Sequence, residues 1–469
     1  MKPKLAATTV LSVLAVAAGA AAAPALTQAQ AQSHVRAPAT PIKHVVVLYL
    51  ENHSFDSLLG FWCRRHRGRC PDGGMPASVT LSGGAVVKPR VLPDVPPGVK
   101  HNVISQEIAI NGGLMNGWGL VPECHAKNGY QCIGGYTPAQ VPNLVTLADS
   151  FAISDHMFSM QDSPSWGGHL YAVMPTLDGF RGDTPKAAPH VAPGPGWGCN
   201  SKRITQWQSS PKAANQWVPS CVPDPSLAEP NGGAFEPTPV SYAPTIMDRL
   251  NAAGLSWRIY GEPTAKGMES DGYIWDVCPS IAECLDTPKQ EANNVPSDTF
   301  ISDVQAGHLP DFALVVPGGP DAKYSEHNGY STTAGDDWIG QIASAIMQGP
   351  LWRSTVMFIT WDDCGCFYDQ VPPGINPDGT QQGPRVPLVI VSPYARPGYT
   401  DTTATTYAGI LAYVEQNFGL TPLGVNDAQA YPFTNALNYS QTPLRPVKMV
   451  NRPVPPGDHI DWAAGRQDT

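Results

Sequence analysis

HVVVLYL at residues 44–50, followed at once by ENHSFD at residues 51–56, decides the fold. The six apolar residues in a row from Val45 to Leu50 are too few for a buried helix. They do not alternate with polar ones, so they read as a strand covered on both faces, the habit of parallel sheets. The abrupt change at Glu51 to acid, amide, imidazole and hydroxyl is what the carboxyl end of such a strand carries when an open α/β sheet places its site there. FALVV at 312–316, VMFITW at 356–361 and VPLVIV at 386–391 repeat the strand pattern, and the second of these ends in Asp362 and Asp363. Between the runs, Trp338, Ile339, Ile342, Ala343, Ile346 and Met347 recur at helical spacing up to a Gly349-Pro350 stop. Ile410, Leu411, Val414 and Phe418 do the same. Strands alternating with helices predict an α/β sandwich, a central largely parallel sheet flanked by helices.

The 469 residues carry a net charge of −10, and 42% are hydrophobic. That is enough apolar content for a core, which excludes a disordered chain. An acidic surface also excludes a protein that wraps nucleic acid through counterion release. Lys2 and Lys4 precede a weakly apolar, Ala-rich run at 10–23, and small residues offer cleavage after Ala23 or Ala31. This order predicts a secretory signal over residues 1–31. No Arg-Arg pair precedes the run, which favours general secretion. No second span follows, so the mature chain is expected in the periplasm or outside the cell. Ten cysteines suit an oxidising compartment. Cys63/Cys70, Cys124/Cys132, Cys199/Cys221 and Cys278/Cys284 are near neighbours able to staple loops, whereas Cys364-Gly365-Cys366 is either strained, free or bonded elsewhere. With 45 glycines and 49 prolines, long loops are expected. Residues 185–239 read as a loop-rich, disulfide-stapled insertion in a catalytic domain spanning 32–441, and residues 442–469 as a Pro-rich, extended tail.

Glu51, Asn52, Asp362 and Asp363 form an oxygen-rich set at two strand ends, suited to one hard divalent cation such as Ca, Zn, Mn or Mg. For either group alone a solvated loop acid or helix cap is the simpler reading; their equivalent positions favour metal. Ser165, in DSPSWGGH at 162–169, stands where a helix begins, a position that serves both as a cap and as a nucleophile aimed at an anion. His327, in SEHN, follows the FALVV strand, and His101 precedes the Asn111-Gly112-Gly113 turn. Trp118 and Trp166 are aromatic residues of the kind that more often fill a core than line a pocket mouth.

IKHVVVLYLENHSFDSLLGFW resembles the opening of the bacterial phosphoesterase family of phospholipases C and secreted acid phosphatases, within the alkaline phosphatase-like superfamily. The likeness continues through His101, Asn111 to Trp118, Ser163-Pro164-Ser165-Trp166, Trp257 to Glu262 and Glu326-His327. Its longest stretch runs from Trp338 to Gly419 and includes Thr360-Trp361-Asp362-Asp363, Phe367-Tyr368-Asp369-Gln370-Val371-Pro372-Pro373 and Arg385-Val386-Pro387. The resemblance implies that Glu51, Asn52, Asp362, Asp363 and Ser165 ligate the metal. It implies that Ser165 is the nucleophile that becomes phosphorylated, and that Asn52, His101 and His327 bind phosphoryl oxygens, with His327 assisting the leaving group. A phosphate-ester or phospholipid substrate follows.

The chain departs from the phospholipase-type pattern at Asp363, Cys364 and Cys366, where Glu-Asn-Gly-Gly is usual, at Thr406-Tyr407, which lacks a common histidine, and at Asn116, where Asp is common. Asp363 is nearer the acid phosphatase branch. An acid phosphatase on the same site, and a non-catalytic binding protein on the same scaffold, are the competing readings. A sulfatase is weaker, because the modified Cys or Ser motif of that chemistry is not found.

Overall fold

The computed structural model describes Met1 and residues 38–453, apart from 211, 228–237 and 265–270. The expected signal segment therefore lies outside the described residues, as do residues 454–469 of the tail. From residue 38 onward the described chain belongs to one compact unit. Among the described residues, no helix is long and apolar enough to cross a membrane.

The centre is an eight-stranded sheet. In chain order its strands are β1 (His44–Leu50), β2 (Ala152–Ser154), β3 (Trp257–Gly261), β4 (Asn294–Pro296), β5 (Phe312–Val315), β6 (Thr355–Trp361), β7 (Leu388–Val391) and β8 (Tyr399–Asp401). They lie in the order β4-β3-β5-β1-β6-β7-β2-β8. All neighbours run parallel except at β7, which is antiparallel to both β6 and β2. The fold is thus the expected α/β sandwich, but the VPLVIV run gives the antiparallel strand rather than a parallel one. The difference has a physical reason. A run buried on both faces looks the same in either direction, and its sequence does not record which way its hydrogen bonds point.

All seven residues of β6 are buried, so both faces of the sheet are covered. The helices that flank it or carry the site are α1 (Phe55–Cys63), α2 (Val103–Ile110), α3 (Pro142–Ser150), α4 (Ser165–Leu170), α5 (Thr332–Gln348) and α6 (Tyr407–Phe418). Phe358 of β6 packs edge-on against Tyr413 of α6, with ring centroids 5.2 Å apart. Trp118 and Trp166 are buried in the core.

The four near-neighbour cysteine pairs are all disulfides, and Cys364 and Cys366 are free and buried. The insertion after residue 185 is more ordered than its sequence suggests. Lys186–Ala187, Arg203–Trp207 and Gln216–Pro219 form a three-stranded sheet, and Cys199, Cys221 and Ala282 make a small core of their own. In the tail, Arg452 is an anchor: its guanidinium donates to Asp336 Oδ2 at 2.7 Å, Asp337 Oδ1 at 2.9 Å and Gln140 O at 2.7 Å.

One buried acid sets a pH response. Glu415 of α6 is hydrogen-bonded to Asp427, and Leu423 N–H donates to its Oε1 at 3.2 Å. Burial, then the bond to Asp427 and that residue's charge, push its pKa up to about 9 from the ordinary 4.5. The folded chain keeps this proton while the unfolded chain releases it, so stability falls as pH rises from about 4.5 to about 9. Glu415→Gln is expected to raise the melting temperature at pH 8 and to match the parent near pH 4. Equal melting temperatures at both pH values would contradict this assignment.

Candidate active site

β1 and β6 pair in parallel register up to Leu50 opposite Trp361, which sets Glu51 and Asn52 beside Asp362 and Asp363 at one sheet edge. The pairing continues past the strands. Asp362 N–H donates to Leu50 O at 2.9 Å, and Asn52 N–H donates to Asp362 Oδ1 at 2.8 Å. Asn52 adopts a left-handed φ of 59°, which turns the chain away from the sheet direction and presents its amide to the site.

The helix expected at Ser165 forms there as α4, with Ser165 its first residue. Ser165 Oγ donates to Glu51 Oε2 at 3.0 Å and stands 3.4 Å from Asn52 Oδ1. Gly168 makes this approach possible, because a Cβ there would sit 3.0 Å from Asp362 O and 3.2 Å from Asp362 Cβ. On the opposite side, Gly365 has φ 54°, and a Cβ on it would lie 2.4 Å from Asn52 O. The Cys364-Gly365-Cys366 loop therefore packs directly on the Asn52 backbone. Gly365 N–H also donates to Asp363 Oδ1 at 2.5 Å.

The structure adds a residue that the sequence reading missed. His169, at the other end of α4, contacts Glu51 Oε1 through Nε2, which is also 4.0 Å from Asp362 Oδ2. Glu51, His169 and Asp362, all buried, place ligand atoms within 4.8 Å of one another and form a group able to hold a metal ion. Asp363 is not one of the three, although it is buried beside them and its Oδ2 receives no hydrogen bond. The signal for His169 was present: Ser165 and His169 are four apart, on one face of a helix.

Charge in this site is unbalanced. Burial, then the Glu51 carboxylate, pushes Asp362 up to about 7, against the opposing pull of His169. Burial, then Asp362, holds Asp363 well above the ordinary carboxyl range. His169 is lowered to about 4 by burial, so it stays neutral and free to act as a ligand. Clustered buried carboxylates with an undonated oxygen beside a neutral imidazole are the donor set a divalent cation requires, and the residues present fit one.

His101 and His327 face each other with ring centroids 6.1 Å apart, and His101 Nε2 lies 3.5 Å from Asn52 Nδ2. His101 Nδ1 donates to Val99 O at 2.8 Å and His327 Nδ1 to Asn328 O at 3.0 Å, which fixes the tautomers and leaves each Nε2 as the reactive nitrogen. Trp275 lies against His327 at 5.4 Å. Thus Glu51, Asn52, Ser165, His101, His327 and Asp362, scattered through the sequence, meet at the edge that the strand endings predicted. A cavity of about 490 Å³, lined by Val103, Asp162, Phe180, Arg181 and Trp207 among others, touches the stretch that follows His101 and the one that precedes Ser165.

The pattern of the Phosphoesterase family matches residues 42–421. This chain belongs to the phosphoesterase family. The non-hemolytic phospholipase C of Pseudomonas aeruginosa is 26% identical over 233 residues, 42% of this chain and 33% of the relative, so the match spans about a third of that protein's length. Phospholipase C A of Mycobacterium tuberculosis strain H37Rv is 22% identical over 478 residues, covering 90% of this chain and 82% of the relative. Among solved structures, a protein in the alkaline phosphatase superfamily from Vibrio parahaemolyticus aligns with a TM-score of 0.34 at 12% identity, over 84% of this chain and 71% of that one. Within the phosphoesterase site, Tyr407, the first residue of α6, stands against the Asp362 backbone. Its hydroxyl donates to Asp362 O at 2.6 Å and steadies the backbone of that residue.

Proposed function

We propose that this phosphoesterase is an exported, metal-dependent hydrolase of phosphate esters, phospholipase C-like, working through a phosphoserine on Ser165. The observation that carries the reading is the Ser165 hydroxyl aimed at Glu51 and Asn52 beside Asp362. Glu51, Asn52, Ser165, Asp362 and Asp363 would hold the cation, with His169 in reach of two of them. When bound, the cation supplies positive charge that acidifies the serine hydroxyl and screens phosphoryl oxygens. Ser165 Oγ attacks phosphorus as its proton passes toward Glu51 Oε2, 3.0 Å away. The P–O bond to the alcohol breaks, and His327, entering as the imidazolium protonated on both nitrogens, delivers its Nε2 proton to the departing oxygen and regains one from the water that later attacks. His101 Nε2 and the Asn52 amide face the phosphoryl group and orient it. Water then cleaves the phosphoserine, freeing phosphate or a phosphomonoester and restoring the hydroxyl. Four disulfides support an extracytoplasmic location.

The test is hydrolysis of phosphatidylcholine and of a chromogenic phosphomonoester before and after chelation. Activity is expected to fall about 100-fold or more on metal removal and to return when cation is restored. Full activity in protein shown by elemental analysis to be metal-free would overturn the reading. Asp363, an aspartate where the phospholipase pattern has glutamate, favours a second reading as a phosphomonoesterase, and the ratio of the two rates separates them.

A further inference from the structure

A second group of metal-ligand atoms lies at the same edge of the sheet, two strands beyond β6. Asp155 and His156 follow directly on β2, and Asp72 reaches them from the turn after the Cys63–Cys70 disulfide. One ligand atom from each of the three lies within 4.8 Å of the others. We propose that Asp72, Asp155 and His156 form a second divalent-cation site of the zinc class, separate from the one around Ser165.

The geometry is that of a histidine ligand with its outer carboxylate. Asp155 Oδ1 lies 2.9 Å from His156 Nδ1, so it takes that N–H and leaves Nε2 as the free electron pair. Nε2 faces Asp72 Oδ2 at 3.1 Å. Two ligands about 2.0–2.1 Å from a tetrahedral zinc ion stand about 3.3 Å apart, so this pair already has the spacing that one cation imposes. Without the cation, a proton on Nε2 fills the gap.

A second observation is a buried carboxylate oxygen left without a donor. Asp155 is fully buried, and its other oxygen, Oδ2, receives no hydrogen bond. The Arg385 guanidinium, which donates to Asp155 O at 2.8 Å, supplies part of the counter-charge this buried carboxylate needs, and a cation on His156 Nε2 would add to it. The ligands are also held in place beforehand. Asp155 N–H donates to Asp401 O at 3.2 Å, Thr405 N–H to His156 O at 3.0 Å, and Gly73 N–H to Cys70 O at 2.9 Å. Imidazole with carboxylate oxygen suits zinc better than calcium or magnesium. Asp72 is partly exposed, which leaves open coordination positions to water.

The experiment is calorimetric titration of zinc chloride into the chelator-stripped full chain near neutral pH. The parent is expected to bind two equivalents. Asp362→Asn should keep the second, and Asp72→Asn and His156→Gln should lose it. Asp155→Asn, which acts through the imidazole, should weaken it about 10–100-fold. Asp72 lies in a partly exposed turn, so its variant is expected to fold as the parent does and settles the matter if His156→Gln does not. A parent and an Asp72→Asn variant that titrate alike would overturn the proposal. A single equivalent that disappears in Asp72→Asn but persists in Asp362→Asn would uphold it while sinking the metal assignment at Ser165.

Discussion

Ser165→Ala is expected to lower kcat/KM for phosphate esters by about 10⁴-fold or more, the scale on which removal of an enzyme's nucleophile acts. Removal of the hydroxyl takes away the atom that attacks phosphorus, and neither Glu51 nor Asn52, its two neighbours, can substitute for it. The fold should not suffer. Ser165 is the first residue of α4, and alanine is the best helix former there. The hydroxyl's bonds run to Glu51 and Asn52 rather than to the helix backbone, so circular dichroism and melting temperature should stay near those of the parent. A trapping experiment adds a readout independent of turnover: acid-quenched parent should carry labelled phosphate on the peptide containing Ser165, and the variant none. Undiminished hydrolysis by well-folded Ser165→Ala protein would show that another group attacks phosphorus.

The parts of this site differ in how plainly they show in the sequence. β1 and β6 are seven-residue strands buried throughout or nearly so, and their endings declare Glu51, Asn52, Asp362 and Asp363. β3 was hidden because Arg258 interrupts the apolar run; in the folded chain that guanidinium pairs with Asp303, a partner 45 positions away. β2, β4 and β8 have three residues each, too few for any period to appear. Distance also hides function. Ser165 meets Glu51 across 114 positions, a contact that no local pattern encodes and that only the family resemblance suggested. His169 lay within reach of helical spacing, yet a lone histidine carries no meaning until Glu51 stands opposite it.

Motif residues that the resemblance left without a role prove to be the frame of the site. Arg385 is buried, with Nε donating to Asp369 Oδ1 at 2.8 Å, Nη1 donating to Asp155 O at 2.8 Å and Nη2 3.5 Å from Asp56 Oδ1. Its guanidinium lies over the Phe55 ring at 4.5 Å. Asp56 N–H donates to Asp369 Oδ2 at 3.1 Å, and Gln370 N–H to Asp56 Oδ2 at 3.1 Å. This clasp ties the start of α1, just after Glu51 and Asn52, to the loop just after Asp362 and Asp363. It therefore fixes the spacing of the two ligand groups.

Arg385→Met keeps most of the volume and removes the charge, and it is expected to cost about 3–5 kcal/mol in denaturant unfolding, the cost of breaking a buried pair from one side. Burial, then Asp369, already pushes Asp56 up to about 8, so Asp56 holds a proton at neutral pH, and the closer partner of Arg385 is Asp369, which takes its Nε–H at 2.8 Å. Replacing Asp369 by asparagine in the same chain should therefore return much of the lost stability, since no uncompensated charge remains. Activity should not return with it, because an amide facing a thioether cannot draw α1 and the 367–371 loop together as the ion pair does. A single variant less than about 1 kcal/mol below the parent would mean that the guanidinium is as well solvated in the folded chain as outside it, contrary to its complete burial.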